Sequence, residues 1–120
     1  MVSILIVDDE PSIQFTFEKI FLFFGFEIAG IANNGEEAIN LFKSLLNKPD
    51  IILMDHRMPI KNGLEATKEI LQINSDTKIV LTSADSSIKD TALSLGAVGF
   101  QNKPFKIKNL IETLQKVIEI

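Results

Sequence analysis

Five short apolar runs recur along the chain, and segments with helical spacing separate them. The runs lie at residues 3–7, 26–31, 51–54, 78–83 and 98–100. The first, third and fourth are continuous rather than alternating, which is typical of strands covered on both faces of a parallel sheet. We therefore predict five strands, with helices in the intervals between them.

The first three helices are predicted from caps and apolar spacing. The first begins at Pro11 and ends at Gly25, which suit a first turn and a C-terminal cap. Its expected core stripe is Ile13, Phe17, Ile20 and Phe24. The second begins at Asn34–Gly35, with acids in its first turn, where the helix dipole favours them. The third covers the segment NGLEATKEIL.

Two further helices complete the alternation. In the fourth, Ser87 and Asp90 have the spacing of a capping box and Gly96 is the expected stop. The last covers 107–119, with an apolar stripe of Ile107, Leu110, Ile111, Leu114, Val117 and Ile118. Five βα units in succession predict an α/β fold, an open parallel sheet with helices on both faces. We expect a single domain over residues 1–120, with no output domain.

Phenylalanines crowd the first helix. Phe15, Phe21 and Phe23 cannot all share the stripe that holds Phe17 and Phe24. Most are expected in the core, while one or two are expected on the surface, where they would mark a contact face.

The amino-acid composition excludes several classes of function for this protein. The 120 residues include no cysteine, which excludes disulfides, thiolate catalysis and cysteine-based zinc sites. The net charge is −4, with no basic run, so no nucleic-acid partner is expected. The stretch IFLFFGF falls short of the roughly 18 residues that span a bilayer, and no signal peptide is evident. We expect a cytoplasmic protein with no membrane partner.

Polar residues follow the predicted strands. Asp8 and Asp9 follow the first, Asp55 ends the third, Ser83 ends the fourth and Lys103 follows the fifth. The carboxyl ends of parallel strands share one edge of a sheet, where such folds bind ligands. The carboxylates are hard oxygen ligands that suit Mg²⁺, which would relieve their mutual repulsion. A carboxylate beside a cation, an ammonium and a hydroxyl can accept a phosphoryl group.

Four motifs in order give this pattern a family likeness. They are VDDEP at 7–11, DHRMPIKNG at 55–63, TSAD at 82–85 and KPF at 103–105. Over essentially its whole length the chain resembles the receiver domain of two-component response regulators. The resemblance implies a CheY-like, flavodoxin-like sheet with strand order 2-1-3-4-5.

The resemblance also implies roles for the acidic residues. Asp55 would be the phosphoacceptor. Asp9 and Asp55 would bind Mg²⁺ directly, together with the backbone carbonyl of Arg57, and Asp8 would act through water. No nucleotide-binding loop of the P-loop or GxGxxG type occurs, so the phosphoryl group is expected from another protein.

The resemblance implies that three further residues respond to the phosphorylated state. Lys103 would contact the phosphoryl oxygens, Ser83 would be the switch hydroxyl and Phe100 the switch aromatic. The family also usually has a cis peptide bond before the residue that is Pro104 here.

Two positions that vary in the family affect phosphate lifetime there. They are occupied here by Arg57 and Asp85, whose charges are opposite. We hypothesise that these side chains meet across the mouth of the site and hinder the hydrolytic water.

The leading functional interpretation is a stand-alone signalling switch. A sensor histidine kinase or a phosphotransfer protein would donate to Asp55. The surface of the fourth helix, fifth strand and fifth helix would then change its preference for an unidentified downstream protein. The chain would catalyse its own phosphorylation and slow dephosphorylation without being a metabolic enzyme. It would be a monomer, or a dimer that forms on phosphorylation.

Two other interpretations stay open from sequence. A Mg²⁺-dependent phosphohydrolase with an aspartate nucleophile would need a second acid to activate water, and no spare carboxylate is evident beyond the metal ligands. An interaction module with vestigial phosphorylation chemistry is the other, and the complete set of acids, hydroxyl and lysine argues against it.

Overall fold

A computed structural model describes residues 1–119 of the chain. Five strands alternate with five helices: β1 (Ser3–Val7), α1 (Pro11–Phe23), β2 (Glu27–Ala32), α2 (Gly35–Ser44), β3 (Ile51–Asp55), α3 (Gly63–Ile73), β4 (Lys78–Ser83), α4 (Lys89–Leu95), β5 (Gly99–Asn102) and α5 (Ile107–Ile118). A short 3₁₀ turn, Ser86–Ile88, precedes α4. Within the described part of the chain, no helix has both the length and the apolar character needed to cross a bilayer.

The strands form one parallel sheet in the order β2-β1-β3-β4-β5. This confirms the predicted α/β class and strand order. Strands β1, β3 and β4 are central and almost wholly buried, as their continuous apolar runs predicted. The register pairs Val7 with Met54 and Asp55 with Thr82. The carboxyl ends of the central strands therefore lie side by side.

Two hydrophobic clusters cover the two faces of the sheet. One contains Phe42 of α2, Ile70 of α3 and Ala92 of α4. The other contains Phe21 of α1 and Leu114 of α5. Because successive side chains of a strand point to opposite faces, each central strand contributes to both clusters.

Helix α1 follows the predicted stripe, with Ile13 and Ile20 partly buried against the second cluster, but departs from it at the C-terminal end. Phe17 and Phe21 are buried and their rings stack at a centroid distance of 5.6 Å. Phe24 was predicted in the core but is 47% exposed, and the prediction was wrong. The helix ends before Phe24, so this residue no longer follows the helical periodicity, whereas Phe26 takes the place against Phe21. Gly25 ends the helix as predicted, with a φ of +84°.

The predicted helix starts are confirmed at Asn34 and wrong at Ser87. The Asn34 side chain accepts a hydrogen bond from the amide of Glu37. Helix α4 instead begins at Lys89 and has no side-chain cap. The Ser87 amide donates to Asp85, which caps the preceding 3₁₀ turn. The Asp85 carboxylate thus accepts the hydrogen bond from the Ser87 amide that Asp90 would have accepted in the predicted capping box.

In α5 the predicted stripe is buried at four positions: Leu110, Ile111, Leu114 and Val117. Ile107 was predicted on this stripe but is exposed, so that part of the prediction was wrong. It is the first residue of the helix, and no preceding turn covers it.

Candidate functional site

Three aspartates meet at the carboxyl edge of the sheet. Asp8 and Asp9 follow β1, and Asp55 ends β3. One carboxylate oxygen of each lies within 4.8 Å of the others. Asp8 and Asp55 are buried, whereas Asp9 is exposed. The pairing of β1 with β3 thus brings together the acids that the sequence analysis assigned to one edge.

Asp8 has one oxygen without a hydrogen-bond partner. Its Oδ1 accepts from the Glu10 amide at 2.9 Å, while its Oδ2 is buried and accepts no hydrogen bond from any described residue. Burial raises the pKa of Asp8, the Glu10 hydrogen bond opposes this, and the charge of Asp55 adds to the rise. A buried carboxylate oxygen that accepts no hydrogen bond and lies among other acids is where a divalent cation fits. The donor set of hard oxygens is suited to Mg²⁺.

Lys103 links the acids to the last strand. Its Nζ donates to Asp55 Oδ1 at 3.0 Å and lies 3.8 Å from Asp8 Oδ2. Its amide donates to the carbonyl of Ser83 at 2.8 Å, and the following bond to Pro104 is cis, as the resemblance implied. The ends of β4 and β5 thereby hold the ammonium beside the Asp55 carboxylate.

Ser83, Arg57 and Asp85 line an open cavity of about 570 Å³. Asp55 and Lys103 line the same cavity. Ser83 is buried, and its Oγ accepts from the Asp85 amide at 3.0 Å. Asp85 accepts hydrogen bonds from Ser87, which together with the charge of Arg57 lower the pKa of its carboxyl. No ion pair joins Arg57 to Asp85 in the described structure.

Phe100 lies on β5, half-buried against the cluster formed by α2, α3 and α4. It stands one residue from Gln101, which pairs with Thr82 of β4. Phe100 itself pairs with Leu81, so it belongs to the strand pair whose carboxyl ends lie at Ser83 and Lys103.

The loop after β3 is tightly folded against the backbone of Asp55 and His56. The Gly63 amide donates to the His56 carbonyl at 2.8 Å. A Cβ on Gly63 would lie 2.4 Å from the carbonyl oxygen of Asp55. Ile60 has a φ of +69°, and the Lys61 amide donates to the Pro59 carbonyl at 2.7 Å, which closes a γ-turn.

Charge also fixes this loop. Lys61 Nζ forms ion pairs with Glu36 of α2, at 3.3 Å, and with Glu69 of α3. These hydrogen-bonded carboxylates, Glu69 first, raise the pKa of Lys61. The Gly35 amide donates to the Lys61 carbonyl at 3.0 Å. The loop is thereby joined to the first turn of α2.

Sequence reasoning missed Gln14. Its Nε2 donates to the Asp8 carbonyl at 2.6 Å and to Asn33 Oδ1 at 2.7 Å. The side chain thus bridges the acidic loop to the end of β2. No local pattern signals such a contact, because the partner Asn33 is 19 residues away.

A known protein family matches the part of the chain that contains these site residues. Residues 4–115 match the family model described as the response regulator receiver domain. The chain therefore belongs to the response regulator receiver domain family of two-component signalling, and it is CheY-like. Phosphorylation on aspartate and Mg²⁺ binding are typical of this family.

Particular relatives share both sequence and fold. The chain is 40% identical over 116 residues to the chemotaxis protein CheY of Thermotoga maritima, covering 95% of each chain. Its structure resembles the response regulator TrrA of T. maritima in complex with Mg²⁺ and BeF, with TM-score 0.88 and 36% identity, covering 98% of this chain and 99% of that one. A CheX–CheY–BeF₃–Mg²⁺ complex from Borrelia burgdorferi gives TM-score 0.92 at 27% identity, covering 97% and 88%.

Proposed function

We propose that Asp55 accepts a phosphoryl group from a sensor histidine kinase or a phosphotransfer protein, in a Mg²⁺-dependent reaction in the cytoplasm. One observation supports this most strongly: a buried carboxylate that receives an ammonium hydrogen bond at 3.0 Å and shares its cavity with Ser83 and Asp9. The site thus combines a nucleophile with positive charge and an oxygen-ligand set. These are the groups that phosphoryl transfer to a carboxylate requires.

In this reaction the phosphoryl group passes from a phosphohistidine of the donor protein to Asp55. An oxygen of Asp55 attacks phosphorus, the new P–O bond forms, and the P–N bond to the donor imidazole breaks. The electron pair of that bond returns to the ring nitrogen. Lys103 moves its hydrogen bond from Asp55 to a phosphoryl oxygen and neutralises charge there. The same acceptor supports slow autophosphorylation from small phosphodonors and slow autodephosphorylation.

The metal site uses the acids and one backbone group. Asp9, Asp55 and the backbone carbonyl of Arg57 would hold Mg²⁺, and Asp8 would act through water. The bound cation would supply positive charge opposite the phosphoryl oxygens and offset the repulsion among the three acids. Asp8 is poised for this because its Oδ2 is buried without a hydrogen-bond donor.

The output is a change of surface. Phosphorylation replaces the single negative charge of the Asp55 carboxylate with a phosphoryl group whose charge is near −2. Ser83 turns its hydroxyl to the new phosphoryl oxygens, and Phe100 adopts a more buried position. Because Phe100 has no hydroxyl, apolar burial drives this movement. The α4–β5–α5 surface then selects an unidentified downstream protein.

Acetyl phosphate with Mg²⁺ tests the acceptor. We expect intact-mass analysis to show one phosphoryl group per wild-type chain and none on Asp55→Asn. Asp76→Asn, an exposed aspartate outside the site, is the matched control and should label like wild type. A wild-type chain that never labels, or that hydrolyses phosphorylated metabolites with rapid turnover, would contradict the proposal.

Arg57 and Asp85 tune phosphate lifetime in this proposal. Both line the mouth of the cavity. Removing the long Arg57 side chain opens a path for water, so Arg57→Ala should shorten the half-life of phosphorylated protein severalfold. The measurement is loss of label with time after the donor is removed. Lys108→Ala, an exposed cation on α5, controls for charge. Equal half-lives in wild type and Arg57→Ala would remove this role.

A further inference from the structure

The acidic loop, residues 8–10, is held at both backbone groups of Asp8. The Asp8 amide donates to the Ala32 carbonyl at 3.1 Å, directly after the last residue pair of β1 and β2. The Asp8 carbonyl accepts a hydrogen bond from Gln14 Nε2 of α1 at 2.6 Å. The position of this loop therefore depends on an uncharged side chain that does not itself line the cavity of Asp55.

Gln14 is in turn held by a chain of hydrogen bonds that ends on α2. Its Nε2 also donates to Asn33 Oδ1 at 2.7 Å. Asn33 donates to Glu37 Oε1 twice, from its Nδ2 at 2.9 Å and from its backbone amide at 3.2 Å. Glu37 is fixed by the cap of α2, because its amide donates to the Asn34 side chain at 2.9 Å. Gln14 thus joins the acidic loop to the first turn of α2.

The acceptors at the two ends of this chain set the direction of its amides. The Asp8 carbonyl and the ionised Glu37 carboxylate can only accept hydrogen bonds. Gln14 must therefore present its NH₂ group to Asp8, and Asn33 must present its own to Glu37. This leaves Asn33 Oδ1 for the second hydrogen of Gln14. Because both hydrogens of the Gln14 amide are used, neither a carboxylate nor an apolar side chain of the same length can replace it.

Held in this way, the loop keeps three acids close together against their repulsion. One carboxylate oxygen each of Asp8, Asp9 and Asp55 lies within 4.8 Å of the others, and like charges this close repel. The exposed Asp9 carboxylate forms no ion pair with any described residue. The loop backbone must therefore direct it toward Asp55. Ligands that are in place before a cation arrives cost less to order when it binds.

We propose that Gln14 is a positioning residue of the metal site, whose amide holds the acidic loop so that Asp8 and Asp9 are in place for Mg²⁺. This inference rests on the proposed function, which assigns Mg²⁺ to these acids. Gln14 bonds to the Asp8 backbone rather than to a carboxylate oxygen, so it acts on the cation only through the loop. A lysine or arginine could also donate, but its positive charge would compete with the cation for the acids.

A Mg²⁺ titration followed by the backbone amide shifts of isotope-labelled protein tests the proposal. Gln14→Met keeps the length of the side chain and removes both hydrogens, so we expect the dissociation constant for Mg²⁺ to rise roughly tenfold. Thr16→Val is the matched control on the same helix. It removes a hydrogen bond from an exposed hydroxyl to the Ser12 carbonyl and should bind Mg²⁺ like wild type. The same spectra check that each variant is folded. Equal Mg²⁺ affinity in wild type and Gln14→Met overturns the proposal.

A double-mutant cycle tests the route from α2 through Gln14. Asn33→Ala should weaken Mg²⁺ binding severalfold, because it frees the Gln14 amide from its second partner. The double variant Gln14→Met/Asn33→Ala should bind no more weakly than Gln14→Met alone, since Asn33 acts on the loop through Gln14. Effects that multiply in the double variant would show that the two residues act independently and would overturn this route.

Labelling by acetyl phosphate separates positioning of the metal ligands from damage to the acceptor. In Gln14→Met the Mg²⁺ concentration for half-maximal rate should rise roughly tenfold, while the rate at saturating Mg²⁺ changes less than about twofold. A large fall in the saturating rate would contradict the positioning role. A wild type that binds no Mg²⁺ would overturn this inference and the proposed function together. A wild type that binds Mg²⁺ and labels, beside an unaffected Gln14→Met, would overturn this inference alone.

Discussion

Gly63 closes the motif DHRMPIKNG because α3 begins against the backbone of β3. A Cβ at this position would meet the Asp55 carbonyl oxygen at 2.4 Å and the His56 Cα at 2.8 Å. Backbone atoms cannot yield as a flexible side chain can. The position of Asp55, the proposed phosphoacceptor, thus depends on glycine at position 63, because only a residue without a side chain fits against its backbone.

We expect Gly63→Ala to lower the free energy of unfolding by about 2 kcal/mol or more, because the added methyl forces β3 and α3 apart. Urea unfolding measures it. Gly99→Ala is the control, since its Cβ would meet Val80 Cγ2 at 3.4 Å, an ordinary contact. Equal loss in both variants would show that the clash with the Asp55 carbonyl is not what destabilises Gly63→Ala.

Ile60 has a backbone conformation that β-branched residues rarely adopt. Its φ is +69°, and it is 81% exposed. A β-branched residue in left-handed backbone costs roughly 1–2 kcal/mol, and Asn tolerates that region better.

Ile60→Asn should therefore raise the free energy of unfolding by about 1 kcal/mol. Little burial is lost at such an exposed position. Leu46→Asn, an equally exposed substitution without positive φ, should stay within about 0.5 kcal/mol of wild type. A destabilised Ile60→Asn would mean that the isoleucine makes a contact that outweighs the strain.

The site residues were predictable because each lies at the carboxyl end of a strand or directly after it. Asp8, Asp55 and Ser83 come to one edge once the strands are parallel, and the motifs around them are specific. The detail within the site was not predictable. The Oδ2 of Asp8, which accepts no hydrogen bond, and the bridging amide of Gln14 depend on side chains brought together by tertiary packing.

Among the elements, α3 has the most complete N-terminal cap. Asn62 accepts a hydrogen bond from the Glu65 amide at 2.9 Å, and the Glu65 side chain accepts one from the Asn62 amide at 3.3 Å. This is a capping box, which satisfies two donors of the first turn. The box at Ser87 and Asp90 predicted for α4 does not form.

Asn62→Ala should accordingly lower the free energy of unfolding by about 1 kcal/mol. Asp90→Ala, at the capping position that the sequence suggested for α4, should change it by less than about 0.5 kcal/mol. Thermal or urea unfolding compares the two. A larger loss at Asp90 would restore the sequence-based assignment.

The helices show where periodicity is a sufficient guide. In α5 a clean apolar stripe predicted four buried residues, and Leu114 is typical of them. In α1 almost every second residue is apolar, so several phases fit equally well. The choice of Phe21 over Phe24 for the core came from the helix end at Phe23 and from Phe26 beyond it. Neither is visible in the spacing alone.

At the scale of the whole molecule, we expect the acidic edge to make stability depend on pH and on Mg²⁺. The pKa of Asp8 is raised, chiefly by burial. The folded state therefore binds a proton more readily than the unfolded state. The charged form of Asp8 destabilises the fold at neutral pH without metal, and this cost disappears as pH falls through the raised pKa toward the ordinary value near 4.

Asp8→Asn should thus stabilise the metal-free protein at neutral pH by on the order of 1 kcal/mol, with a smaller gain at acidic pH. Urea unfolding with a chelator present, repeated at several pH values, measures it. Added Mg²⁺ should stabilise wild type, since a ligand of the native state shifts unfolding, and should stabilise Asp8→Asn less. A variant less stable than wild type at neutral pH without metal would contradict the assignment.

The two hydrophobic clusters on opposite faces of the sheet have a consequence for how this chain can change. Leu5 and Ile6 are neighbours in β1, yet they belong to different clusters. Packing errors on the α1–α5 side are therefore separated by a layer of hydrogen-bonded backbone from the α2–α3–α4 side. Core substitutions, natural or engineered, can therefore accumulate in one cluster while the packing of the other is kept. The strands that the two clusters share stay unchanged.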